Sequence, residues 1–527
     1  MKTRTLAGLS LAAAVLFAPD ARPQGLGTEL VASGLSSPLD LRSPPGDARL
    51  FVAEQTGAVR IIENGALLPT PYFDASGLVA FGNFTGLRAI QFHPDYAGNG
   101  YMYFVYDEVE QLLGDVVLAR VTVSAADPYT ADPSSYVELL RVTQTEAWHG
   151  GGCMNFGPDG YLYVAFGDGY GHGFDPLCHS QDPDLFLGKM LRLDVDSAFP
   201  YAVPPDNPFV GNPAVRDEIW HLGLRHPWRW CFDEANGDMW IADVGQVTQE
   251  ELNYVPAGTS GLNFGWKVME GTHCIGTSGC PGTQSGCGDA GYTDPILTQG
   301  TTTVNCSIAG GFVYRGSALP SEQGNYFFGG YCTGDVWSMK YDGSTITDFT
   351  ERNTELGQFF FFLTAFGIDD EGEIYILLQT GEVYKIVEGC APPTNYCPAN
   401  TNSAGTAASI SMTGTSSISN NNMGLVCVDA VPGKPGLFFY GPNQASLPLG
   451  EGNLCVSGSI WRLQPPIVTD AQGGAARAMD FTQPPADAGG GAILAGSDWY
   501  FQFWYRDPPG GTAGFNLSDG LCVSFCP

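Results

Sequence analysis

The chain has 527 residues, of which 44% are hydrophobic, with 70 glycines, 37 prolines and a formal net charge of −32. That length exceeds one ordinary domain and suggests two. The acidic balance, with no basic stripe, excludes nucleic acid as a partner because its phosphates would be repelled. The glycine and proline content favours strands joined by turns over helices.

In chain order, Met1–Ala21 is expected to be a signal peptide. Lys2 and Arg4 precede an apolar core, Leu6–Ala18, that is too short to span a bilayer, and no later stretch is long enough to be a transmembrane anchor. The mature protein should be secreted or extracytoplasmic. Fourteen cysteines suit that compartment and read as structural disulfides. They divide between Cys153–Cys332 and Cys390–Cys526, so each half can close its own bridges. No paired CxxC zinc pattern is present.

One short pattern then recurs: a turn with Gly, Asp or Asn, followed by a strand with an aromatic in its middle. It occurs at Gly46–Val52, Asn99–Phe104, Pro158–Val164, Asn236–Ile241, Gly324–Phe328 and Glu371–Ile376. A second strand follows a glycine turn at Ala58–Ile62 and again at Glu382–Ile386. A repeated small sheet that cannot bury both faces alone predicts an all-β fold, a six-bladed β-propeller over residues 22–389. Long loops are expected at Asp196–Asp217 and Glu270–Thr303. A Pro/Asn/Thr/Cys-rich linker, 390–403, leads to a C-terminal β-sandwich accessory domain, 404–527. Its central strand is expected at Ala495–Tyr505, with aromatics on both faces. Cell-surface contact is a role open to it.

Three stretches carry side chains suited to chemistry. Trp148–Gly169 (WHGGGCMNFGPDGYLYVAFGDG) sets His149 beside three glycines and ahead of a strand, where an imidazole can take a proton near neutral pH. HGGG also forms an oxyanion loop in some esterases, but those need a G-x-S-x-G elbow, which this chain lacks. Gly223–Trp230 (GLRHPWRW) contains Arg225, a guanidinium able to hold a carboxylate or a developing oxyanion. In the same stretch His226 and Pro227 fix the local chain, and Trp228 and Trp230 are expected to pack between blades. Asp243–Asn253 (DVGQVTQEELN) is a tight turn that can offer carbonyl oxygens to Ca²⁺. Lys189 and Arg315 read as structural.

These motifs, in this order, resemble the glucose/sorbosone dehydrogenase family. The resemblance runs from about Gly34 to Glu388 and includes Gly86–Tyr96 (GLRAIQFHPDY), the HGGG segment and Leu187–Asp194 (LGKMLRLD). It continues through Asp206–Val210 (DNPFV), GLRHPW, DVGQ with EELN, NFGW and GGFVYRG. PPDNPFV and GGFVYRG are closer to the family's hedgehog-interacting-protein-like branch. The resemblance implies a six-bladed propeller and an aldose dehydrogenase that uses pyrroloquinoline quinone (PQQ) and Ca²⁺. It implies that His149 is the base, that Arg225 polarises the quinone with His226 beside it, and that Gly245 and Gln246 give carbonyls to the calcium. The sequence departs from the family pattern at His226, where an asparagine is usual. It departs also at Tyr331–Gly334 and Gln358–Leu363, where quinone-binding lysine and arginines are expected and none occurs. The alternative is a non-catalytic propeller that has lost the quinone and binds glycan or protein.

Overall fold

The structure, a computed structural model, describes residues 25–82, 85–109, 114–171, 175–276, 280, 287, 291–300, 307–389, 392–418 and 420–526. The signal-peptide segment Met1–Ala21 lies outside these. The described chain is almost all strand and falls into two compact units that divide between Glu388 and Gly389. No helix among the described residues is long and apolar enough to cross a membrane.

The first unit, Leu26–Glu388, contains four sheets of four antiparallel strands and one of nine. The nine-stranded sheet is two four-stranded runs, with one extra short strand, joined by a single parallel pair, Arg42 with Ile368. Its N-terminal strand, Leu26–Ala32, pairs with the last strand, Val383–Glu388, so the two ends of the unit share a sheet.

Every copy of the repeated motif becomes the second strand of a four-stranded run. These strands are Leu50–Glu54, Tyr101–Asp107, Leu162–Phe166, Met239–Asp243, Tyr326–Gly330 and Ile374–Leu378. They are buried almost throughout, whereas a fourth strand such as Ile346–Glu351 is largely exposed. A strand covered on both faces must be apolar at consecutive positions, which is why the motif reads as a run rather than an alternation. Aromatics join neighbouring sheets: Trp240 stacks on Tyr326 with ring centroids 4.6 Å apart and planes at 13°. Arg192, buried against Asp159, Asp206 and Asn207, ties the Asp206–Val210 motif down.

In the second unit, Asp498–Arg506 is central in a seven-stranded sheet, paired with Pro435–Gly441 and Gly520–Ser524. Its side chains serve two cores. Trp499, Phe501, Phe503 and Tyr505 join Ile410 and Leu425 of a separate three-stranded sheet, while Tyr500 and Trp504 pack on Phe439 and Leu517.

The cysteines do not all pair as expected. Cys178–Cys280, Cys274–Cys287 and Cys397–Cys455 are bridged, but Cys153, Cys231, Cys427 and Cys522 are free and buried. A buried free thiol acts as a small apolar side chain, and burial raises the pKa of Cys153.

Candidate functional site

A cavity of about 340 Å³ opens in the first unit. Each of the six four-stranded runs contributes to it from the start of its first strand: Leu39, Arg88, His149, Arg225 with His226, Ile308 and Thr364 lie at or just before those strands. Residues just after the second strands, among them Gln55, Gly245, Tyr331 and Gln379, complete the wall. All five residues singled out in the sequence, His149, Arg225, His226, Gly245 and Gln246, therefore line one cavity.

His149 is held in a conformation that bulky side chains avoid, with φ of 45°. The glycines around it explain how. A Cβ on Gly167 would lie 2.0 Å from the His149 carbonyl oxygen, and one on Gly151 would lie 2.7 Å from that of Ala165. The His149 backbone thus lies against the next strand, and the side chain is turned to the cavity. Its Nδ1 is 2.8 Å from Oδ1 of Asp168. Asp168 is fully buried and also accepts bonds from the Tyr170 amide and the Trp266 indole. Burial raises the Asp168 pKa to about 6, against the charge of Arg225, which lowers it. A carboxylate at Nδ1 favours the tautomer that carries its proton there, which makes Nε2 the basic nitrogen of the ring.

Below Asp168, the short turn His179–Gln181 is locked by the Cys178–Cys280 bridge and by Ser180 donating to the Leu224 carbonyl. His179 Nδ1 lies 3.0 Å from the Asp168 carbonyl oxygen. Lys189 is fully buried here and donates to the carbonyls of His179 and Leu187, as its structural reading anticipates. Arg315 likewise pairs with Asp233.

Arg225 is aimed by its own backbone, whose amide donates to Asp243 at 2.8 Å. Its guanidinium donates to the Val244 carbonyl and to the Gln246 side chain, and lies 5.3 Å over the Trp266 ring. His226 stacks on His149 with centroids 4.9 Å apart. Burial, and next the proximity of His149, pushes the His226 pKa well below its ordinary value, so this imidazole is neutral. Arg225 Nε and His226 Nδ1 are buried and bond to nothing among the described residues. Trp228 packs against the core shared by neighbouring sheets, as expected, donates to the Thr364 carbonyl and also lines the cavity, while Trp230 is buried in the core.

The bend after Asp243 is organised by a residue far along the chain. Oε1 of Glu270 accepts the amides of Gln246, Val247 and Thr248 at 2.6, 2.8 and 2.9 Å, and Oε2 accepts the Thr248 hydroxyl. In a trans peptide, N–H and C=O point opposite ways. Three amides converging on Glu270 therefore turn the carbonyls of Gly245, Gln246 and Val247 away from it. A side chain at Gly245 is impossible, since its Cβ would lie 1.9 Å from the Gln249 carbonyl oxygen. Glu250 braces the same bend from below, accepting the amides of Gly245, Ser307 and Ile308.

This donor set fits Ca²⁺ in kind: outward carbonyls are the hard oxygens that ion prefers, though it takes six to eight. Among the described residues no group of three or more His, Cys, Asp or Glu is placed to hold a metal ion. For a quinone bearing three carboxylates the fit is divided. The end that would face His149, Arg225 and the bend has a cation and an orphaned donor. Elsewhere in the wall, Tyr331, Thr364 and Gln379 are uncharged. The other guanidinium in the wall, Arg88, is held bidentately by Asp107.

A family model described as Glucose / Sorbosone dehydrogenase matches residues 35–385. Among curated relatives, the HIPL1 protein of Arabidopsis thaliana is 27% identical over 449 residues, covering 70% of this chain and 64% of that protein. Human Hedgehog-interacting protein is 30% identical over 392 residues, covering 69% and 52%. The aldose sugar dehydrogenase YliI of Escherichia coli is 25% identical over 374 residues, covering 69% and 94%. This chain thus spans under two thirds of the first two. Among solved structures, the apo soluble aldose sugar dehydrogenase of Escherichia coli aligns with a TM-score of 0.57 at 22% identity, over 69% of this chain and 99% of that one. The PQQ-bound aldose sugar dehydrogenase of Streptomyces coelicolor aligns at 0.53 and 21%, over 70% and 99%. At these identities the structural likeness establishes the fold, a β-propeller.

Proposed function

The chain belongs to the glucose/sorbosone dehydrogenase family, and from that membership we propose an exported oxidoreductase that converts the anomeric hydroxyl of an aldose to a lactone. The observation that carries the proposal is the meeting, in one cavity, of an imidazole fixed by a buried carboxylate, a guanidinium and a bend with outward carbonyls. Oxidation at such a carbon removes a proton from oxygen and a hydride from carbon. Asp168 holds His149 in the tautomer whose Nε2 takes the proton, and stabilises the imidazolium that forms. Arg225 and the carbonyls of Gly245 and Gln246 lie at the same end of the cavity, with His226, stacked on His149, as a neutral group. A bound PQQ with Ca²⁺ would supply the hydride acceptor at this site, where the Arg225 guanidinium, together with that cation, would offset the negative charge developing on an acceptor oxygen. The neutral wall at Tyr331, Thr364 and Gln379 implies that PQQ is held less tightly than a tricarboxylate with matched cations would be.

The same account takes the four separate sheets and the two halves of the nine-stranded sheet as six blades, closed by the pairing of Leu26–Ala32 with Val383–Glu388. It takes the seven-stranded and three-stranded sheets of the second unit, which share a core and take in Thr394–Tyr396 as well, as the β-sandwich of 404–527 beyond a 390–403 linker, with Met1–Ala21 as the export signal. The disulfides support an extracytoplasmic location.

A second reading is a propeller that binds a glycan or a protein without catalysis. The absence of cations at Tyr331–Gly334 and 358–363 favours it, as do relatives named for hedgehog interaction. One experiment separates the two. Purified protein is loaded with PQQ and Ca²⁺ and given aldoses with an artificial electron acceptor. The dehydrogenase reading requires a bound-quinone spectrum and turnover that His149→Ala abolishes while the spectrum persists. Neither spectrum nor turnover leaves the binding reading.

A further inference from the structure

The loop 358–363 (QFFFFL) is joined through Phe362 to Tyr331 and Gln379 of the cavity wall, and its composition is at odds with an acidic protein. Phe359, Phe361 and Phe362 are 56%, 56% and 47% exposed, whereas Phe360 between them is fully buried against Tyr384. The exposed rings are therefore not a segment lacking a core: Phe360 anchors the loop, and its amide donates to the Gly334 carbonyl. Phe362 has φ of 62°, a conformation costly for an aromatic residue, and its exposed ring contacts Tyr331 of the cavity wall at 5.7 Å. Its amide donates to the Tyr331 carbonyl, and its carbonyl accepts the amide of Gln379, also in the wall. Phe359 and Phe361 lie alongside each other, with centroids 6.1 Å apart.

We propose that this phenylalanine rim is a specificity site for an apolar substituent, aryl or acyl, carried by the sugar away from its anomeric carbon. The inference rests on the sugar-binding reading of the cavity. Three facts select the occupant. The rim is continuous with the cavity through Phe362 and Tyr331, so whatever covers it can belong to the molecule inside. The loop bears no charge in a chain of net charge −32, so it offers a charged group nothing. Aromatic rings left in water gain most from a flat or aliphatic apolar neighbour.

The test compares glucose with glucose carrying a benzoyl ester at O6, by titration calorimetry on the full chain without added cofactor. Wild type should bind the ester roughly tenfold more tightly than glucose, equivalent to about 1.4 kcal/mol. The double variant Phe359→Ser, Phe361→Ser removes two exposed rings, and the ratio of the two affinities should fall to near one, with circular dichroism reporting an unchanged fold. A ratio near one in wild type, or one that survives the double variant, overturns the proposal while leaving the sugar reading intact. Cellobiose gaining as much as the ester also overturns it, since the rim would then select any ring. If neither glucose nor the ester binds, either here or after loading with PQQ and Ca²⁺, the sugar reading falls and takes this proposal with it.

Discussion

His149 Nδ1 and Asp168 Oδ1 lie 2.8 Å apart, on segments separated by 19 residues and joined across two adjacent strands. Asp168 is itself fixed by Tyr170 and Trp266, so the imidazole has one orientation. Asp168→Asn keeps the shape but removes the charge that selects the tautomer. For the loaded enzyme, kcat should fall by about 10²–10⁴, with KM changed far less, as steady-state kinetics on an aldose would report. Equal losses in kcat and affinity would mean that Asp168 shapes the cavity instead.

Glu270 is the hub of the bend that bears Gly245 and Gln246. Burial alone would raise its pKa, but the Thr248 hydroxyl and the loop amides outweigh that and lower it. Glu270→Ala strands three amides and should cost about 2–4 kcal/mol in urea denaturation. Any Ca²⁺ affinity of the loaded protein should weaken by roughly 10- to 100-fold, as for other residues that orient metal ligands. An unchanged affinity would remove the bend from the cation site.

Glu250 gives a pH signature. Burial raises its pKa from 4.5 to about 7, despite the amides of Ile308, Gly245 and Ser307. In this range the folded protein binds more protons than the unfolded chain, so this group's contribution to stability is fully present below 4.5. It is lost as pH rises through about 7. The stability of wild type relative to Glu250→Gln should therefore decline between pH 4.5 and 7 and level off above. Denaturation of both proteins across that range would measure it, and a difference that grows with pH would contradict the buried, protonated state.

Much of this fold is legible in the sequence because each blade repeats one solvable problem. A strand covered on both faces must be apolar throughout, so Leu162–Phe166 and its five counterparts announce themselves. His149 is legible for a related reason: glycines flank it where the chain lies against a neighbouring strand. Asp168 is not, because Gly167-Asp168-Gly169 reads as a turn. Trp266 and Glu270 lie about a hundred residues downstream of Asp168, and no spacing links them to it or to the bend. That Trp228 packs between sheets is legible, but that its ring also reaches the cavity wall is not, because strand alternation beside Trp230 does not show what its other face meets. The free thiols of Cys153 and Cys231 are misread because compartment predicts pairing, whereas both are buried in the core as unbridged apolar side chains, Cys153 just before Met154–Phe156 and Cys231 within Pro227–Phe232.

Trp240 is stacked between neighbouring sheets and 3% exposed. Trp240→Ala should destabilise the first unit by about 3–5 kcal/mol, seen as a lower denaturant midpoint, without altering ligand affinity in the protein that remains folded. A loss under 1 kcal/mol would mean that the sheets are held together elsewhere.

The central claim is that this cavity removes a proton and a hydride from one sugar carbon. The most direct measurement gives the PQQ- and Ca²⁺-loaded protein glucose deuterated at C1 and follows the label and the rate. The account requires loss of the deuterium, formation of the lactone, a slower rate than with ordinary glucose, and no reaction in His149→Ala. Deuterium retained at C1, or lactone formed equally by the variant, would contradict it.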